Sequence, residues 1–263
     1  MVHFPVVLKL FMICLLLMVA PLAAQEPLTG RDIMVRVDER ADGDDRTSKM
    51  CMTLINKRGR TRVREMSSLA KDYGKDSKSV IYFLKPADVR GTAFLSWNYD
   101  DSRRNDDKWL YLPALKKERR ISGSSNNDYF MGSDFTYDDM GDRSVDEDEH
   151  RLMRVETLAD RLCWVVESVS LDGDETCRKR VLWIAQGLDL PLRIDYFDKD
   201  GLYRRYQAFD IRTVAGYSVV YRKQMENLLT QHHTLLEVAE IEFDQGISDA
   251  VFRVSALQRG RLR

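Results

Sequence analysis

From residue 49 to residue 243 this chain is a succession of short runs of alternating side chains, each closed by Gly, Pro, Asn or Asp. Residues 49–66 show the pattern. Met50, Met52 and Leu54 alternate with Cys51, Thr53 and Ile55. Asn56-Lys57-Arg58-Gly59 makes a turn, and Arg60, Arg62 and Arg64 then alternate with Thr61 and Val63. A period of two sends successive side chains to opposite faces of a strand. Such runs, spaced about 8–12 residues apart with turn residues between them, belong to a meandering antiparallel sheet or barrel. Further strands are expected over residues 79–84, 92–98, 151–157, 161–171, 178–185, 190–197, 202–210, 216–224 and 233–243, with two short ones around Pro113. No repeat of solenoid length and no Pro/Ser-rich linker divides the chain, so residues 25–263 are expected to form one domain. Its length allows a real core.

Helical signals are few. Thr29 can cap a helix over residues 29–40, with Ile33, Met34 and Val37 on one stripe. Ser248 can cap a short terminal segment anchored by Val251, Phe252 and Leu257. Yet several strands are apolar on both sides: Val80, Tyr82 and Leu84 against Ile81 and Phe83, Trp109 and Tyr111 against Leu110 and Leu112, Val181 and Trp183 against Leu182 and Ile184. A sheet with one wet face alternates cleanly. Both faces must therefore be covered, by an ordinary core under the helix or by a ligand. Any uncovered remainder would be a large exposed apolar patch.

Residues 1–24 read as a secretory signal. His3 and Lys9 precede a short apolar run from Leu10 to Ala20, and Pro21-Leu22-Ala23-Ala24 supplies a cleavage site. Cys14 lies in a poor context for lipid attachment, and three cysteines follow the signal: Cys51, Cys163 and Cys177. An odd number leaves at least one thiol without an internal partner. A Cys163–Cys177 bridge is not favoured, because a turn near Gly173 places Cys177 closer to Ser170. Burial as small apolar residues is the better reading.

Charge excludes one class of partner. The chain has 41 Lys and Arg against 42 Asp and Glu, so nothing points to nucleic acid. The acidic run at residues 138–149 lacks the alternating ligands of a calcium loop and reads as a surface loop. His232 and His233 point to opposite faces of a strand and cannot easily share a metal. The three alternating arginines read as a solvated face. No GxSxG, HExxH, CxxC or glycine-rich phosphate loop occurs, so no catalytic residue, metal site or cofactor is assigned and the chain is not read as an enzyme.

One stretch carries a resemblance. Residues 109–122, WLYLPALKKERRIS, are followed by FMGSDFTYDDM at 130–140, with FLKPADVRGTAFL at 83–95 and FDKDGLYRRYQAFDI at 197–211. In order and spacing these pieces resemble the LolA-like family of outer-membrane lipoprotein-sorting proteins. The resemblance implies a mainly β fold, an antiparallel half-barrel of the incomplete LolA/LppX kind with helices covering its concave face. It implies a periplasmic, non-catalytic carrier that holds a lipid or lipoprotein acyl chain for transfer between inner and outer membranes. An inner-membrane exporter of the resistance-nodulation-division type and an outer-membrane acceptor are the protein partners it implies. The alternative is an accessory subunit that docks on such an exporter and carries nothing. On the carrier reading, Trp109, Tyr111, Phe130, Met131, Phe135 and Tyr82 are expected at the ligand cavity. Met50, Met52 and Met66 would suit an adaptable acyl-chain surface. Residues 123–141, punctuated by Gly123, Gly132 and Gly141, are the expected lid.

Overall fold

The computed structural model describes residues 27–173 and 176–258; the signal expected over residues 1–24 lies outside them. Thirteen strands form one antiparallel sheet. They are β1 (Asp45–Ile55), β2 (Thr61–Tyr73), β3 (Asp76–Lys85), β4 (Ala93–Asn98), β5 (Asp107–Leu112), β6 (Lys117–Ile121), β7 (Asp148–Leu158), β8 (Arg161–Ser170), β9 (Lys179–Ala185), β10 (Leu190–Phe197), β11 (Leu202–Val214), β12 (Tyr217–Asn227) and β13 (His232–Phe243). The order runs β6-β5-β4-β3-β2-β1-β13-β12-β11-β10-β9-β8-β7. Each strand pairs with its neighbour in sequence, apart from one join. There β1 meets β13, with Met52 opposite Leu236. The edges β6 and β7 are consecutive in the chain but unpaired, so the sheet stays open, a half-barrel.

Turn chemistry explains the tight hairpins. Ala159 and Asp160 both have positive φ between β7 and β8, as do Ala215 and Gly216 between β11 and β12. Two successive left-handed residues match the twist of the strands they join. The join between β1 and β13 is tied by Asp45. Its buried carboxylate accepts the Gln245 amide at 2.9 Å and the Ile247 amide at 2.8 Å.

The two-sided apolarity is accounted for by cover on both faces. On the outer face, Leu69, Val80, Tyr82, Leu95 and Tyr111 lie under Phe252 and Leu257 of the C-terminal segment. That segment is fastened where the Trp97 indole donates to the Phe252 carbonyl at 2.9 Å. Full burial of a side chain such as Phe252 contributes about 1.5–3 kcal/mol. On the inner face, Met52, Met66, Phe83, Phe94, Leu110, Met225 and Leu236 form the main core. Farther along, helix α1 (Gly30–Asp38) covers β7 to β10, setting Ile33 against Val166, Leu182 and Ile184. Thr29 caps α1 reciprocally with Asp32. Gly30 allows the close approach, since a Cβ there would lie 2.6 Å from the Arg151 amide nitrogen.

A short helix α2 (Val254–Leu257) ends the described chain. No helix of the described residues is long and apolar enough to cross a membrane. Cys163 packs in an outer-face cluster with Val165 and Trp183, whereas Cys177 joins the inner core. The two thiols sit on opposite faces and are not bridged.

Candidate functional site

The long connection from β6 to β7 folds back across the inner face instead of standing out as a loop. Its first part, residues 123–128, is exposed to half-buried. Then Phe130 plunges into the core, reaching zero exposure. Its ring lies 5.3 Å from Phe94, 5.5 Å from Tyr137 and 5.8 Å from Phe83, edge-on or tilted. Such geometries are favourable beyond their burial. Met131 and Gly132 are both left-handed, and this reverses the chain so that Phe135 can follow Phe130 inward.

Polar groups fasten this segment to the sheet. The Asp134 carboxylate accepts the Thr234 hydroxyl at 2.7 Å and contacts His232 Nδ1 at 2.6 Å. Arg204, 3% exposed, pairs with Asp139 and donates to the Asp134 carbonyl. Burial works against the Arg204 charge, but Asp139 and the oxygens of Tyr203 and Tyr196 more than restore it. Arg64 donates to the Met131 carbonyl and stacks on Phe83. The expectation of a solvated arginine face therefore fails for Arg64, because the aromatic segment lies over it.

The acidic run is also corrected. It was expected to be a surface loop, yet much of it points inward to buried cations. Lys108, 1% exposed, lies 3.3 Å from Asp106 and 3.6 Å from Asp138. Asp148 receives both Arg143 and Arg180. Burial alone would raise its pKa, but the Arg143 hydrogen bonds and the two guanidinium charges hold it below the usual carboxylate value. Gly141 lets the chain pass close to Asn98, whose side-chain oxygen would lie 2.8 Å from a Cβ.

Between this segment and α1 lies a hollow of about 540 Å3. Met34 and Val37 of α1, Phe135, Leu182, Ile194, Tyr206 and Met225 give it apolar walls. Asp38, Asp72, Asp142 and Lys75 stand among its polar lining. Burial and the acids Asp42, Asp142 and Asp44 push Asp72 up to about 6. A shallower, more open depression of about 770 Å3 sits between the β1–β2 turn, the β12–β13 turn and Tyr129. Polar and charged side chains such as Lys57, Arg58, Arg60 and Asp134 line it, and it is the more open of the two, so the hollow beside α1 is the better place for an apolar ligand. Its size falls within the roughly 300–1,000 Å3 typical of small-molecule sites.

The six residues expected at the cavity are thus divided. Phe130, Met131 and Phe135 lie on the inner face, and Phe135 lines the hollow. Tyr82, Trp109 and Tyr111 lie on the outer face, beneath or beside the C-terminal segment. The reason is strand parity. Leu110 and Ile81 point inward, so their neighbours in sequence must point outward. What sequence reading missed is α1 and the β9–β12 wall. Their apolar spacing was visible, but nothing local shows that they converge.

A solved structure of a DUF1329 family protein from Desulfovibrio piger superposes with a TM-score of 0.83 and 32% identity, covering 87% of this chain and 97% of that one. The chain belongs to the DUF1329 family. A domain from Vibrio parahaemolyticus, named for outer-membrane lipoprotein sorting, matches with a TM-score of 0.83 and 28% identity over 88% of this chain and 98% of its own. A LolA superfamily protein from Nitrosomonas europaea shares the fold, with a TM-score of 0.69 and 19% identity over 87% of this chain and 99% of its own. A family model described as an uncharacterized protein matches residues 75–259. No curated protein matches the sequence. The overall fold is therefore shared with these three structures.

Proposed function

We propose that this protein is a non-catalytic periplasmic carrier that shields a lipid or a lipoprotein acyl chain in the hollow, for transfer between inner and outer membranes. The observation that carries the reading is the half-open hollow, with apolar wall from Met34, Val37, Leu182, Ile194 and Met225, inside a LolA-like half-barrel. Each methylene taken from water into such a site gains about 0.8 kcal/mol. Holding a long chain therefore requires no covalent chemistry. Size bears on the cargo. The hollow of about 540 Å3 lies within the roughly 300–1,000 Å3 of sites that hold one small molecule. That suits one acyl chain with its head better than several chains at once. Larger cargo would have to displace the Phe130–Phe135 segment, with the exporter and the outer-membrane acceptor as the partners that drive loading and release. The docking-only alternative leaves the hollow without a role.

Native mass spectrometry of protein purified from the periplasm tests the reading. The expected result is a population heavier than the polypeptide by the mass of one lipid, lost on delipidation and regained from membrane extract. Polypeptide that stays ligand-free in both preparations would overturn the carrier reading and leave the docking subunit.

A further inference from the structure

Two basic groups in the wall of the hollow have no counter-ion of their own. Lys223, on β12, lines it and has no hydrogen-bond or ion-pair partner among the described residues. Lys223 is half-buried, and burial, helped by the Arg46 charge, lowers its pKa. Arg40, just beyond α1, also lines the hollow, and its Nε is buried without a partner. Its terminal nitrogen bonds to the Ala41 and Ser218 carbonyls. Both cations feel the charge of Arg46, which also lines the hollow. The acids within reach are Asp139 for Lys223, and Asp42 and more weakly Asp189 for Arg40. Of these, Asp139 and Asp42 are already committed to Arg204 and Arg46.

A buried donor without an acceptor, as at Arg40 Nε, is costly. Such a group is tolerated where a ligand completes it. Met34, Val37, Leu182, Ile194 and Met225 give the hollow apolar wall, beside carboxylates that include Asp38, Asp72, Asp138 and Asp142. We propose that Lys223, supported by Arg40, is the head-group site for a single-chain amphiphile with an anionic carboxylate or phosphate, its tail lying along those apolar walls. This rests on the carrier reading and names the class of lipid it takes.

The test uses three probes of equal chain length on the mature protein: a tail-labelled fluorescent fatty acid, its methyl ester, and a lysophosphatidic acid with the same label. The parent should bind at least one anionic probe about tenfold more tightly than the ester, in line with the strength of charge-assisted hydrogen bonds. Whichever anion binds better identifies the head group. Lys223→Met keeps the apolar stem and should lose about that factor on the preferred anion while leaving ester binding unchanged. Lys223→Arg should restore anion preference. Equal binding of acid, phosphate and ester by the parent, or anion preference that survives Lys223→Met, would overturn the head-group site while leaving the carrier intact. Failure of the parent to bind any probe would overturn both.

Discussion

Arg204 is the residue on which the aromatic segment is anchored. It is 3% exposed, pairs with Asp139, and stacks near Tyr196 and Tyr203. Removing one member of a buried pair leaves an uncompensated charge and costs about 3–5 kcal/mol. Arg204→Met is therefore expected to lower the unfolding free energy by about that amount, as measured by urea denaturation. Replacing Asp139 by Leu in the same chain should recover part of the loss, because the orphaned carboxylate is gone. Strict additivity of the two single changes would show that the pair is not coupled.

At the scale of elements, α1 and the segment from Phe130 to Tyr137 are the two covers of the inner face, and the hollow lies between them. Each is held by a different device, one by close backbone approach at Gly30 and the other by rings and ion pairs. Gly30→Ala puts a methyl 2.6 Å from the Arg151 backbone, where nothing flexible can give way. It should shift α1 off the sheet, cost about 1–3 kcal/mol, and weaken binding of an apolar probe in a fluorescence titration. Unchanged stability and binding would mean that α1 can dock elsewhere along β7. The lid expected over residues 123–141 is better divided. Its first residues are exposed, whereas Phe130, Asp134 and Phe135 are buried and bonded.

For the whole molecule, the decisive contact is the join between β1 and β13, since it unites two runs of strands that are otherwise built from neighbours in sequence. Asp45 fastens this join to the C-terminal segment by accepting the Gln245 and Ile247 amides. Asp45→Ala leaves those amides without their acceptor and is expected to cost about 1–3 kcal/mol. It should also loosen the segment carrying Phe252, which shields Trp97 and Trp109 on the outer face. A red shift in tryptophan emission below the unfolding transition is the expected sign. An unchanged spectrum would show that Phe252 and Leu257 hold the segment without Asp45.

Strand positions were legible because period-two alternation, turn residues and the Thr29 cap act over a few residues, so a local reading captures their physics. Residues 49–66 illustrate this: the hairpin, its turn and its two-faced pattern all follow from local spacing. The half-barrel and family were legible through the motifs at 109–140. Which face lies inside was not. Parity tells that Leu110 and Tyr111 part company, but not which of them meets Phe130 and which meets Phe252. Likewise, Arg204 and Asp139, or Lys223 and the walls around it, are separated by tens of residues and come together only when the sheet curls and the β6–β7 connection folds into it. Local periodicity determines the elements. Charge pairing, enclosure and the hollow depend on long-range packing, and that was decided by the tertiary structure alone.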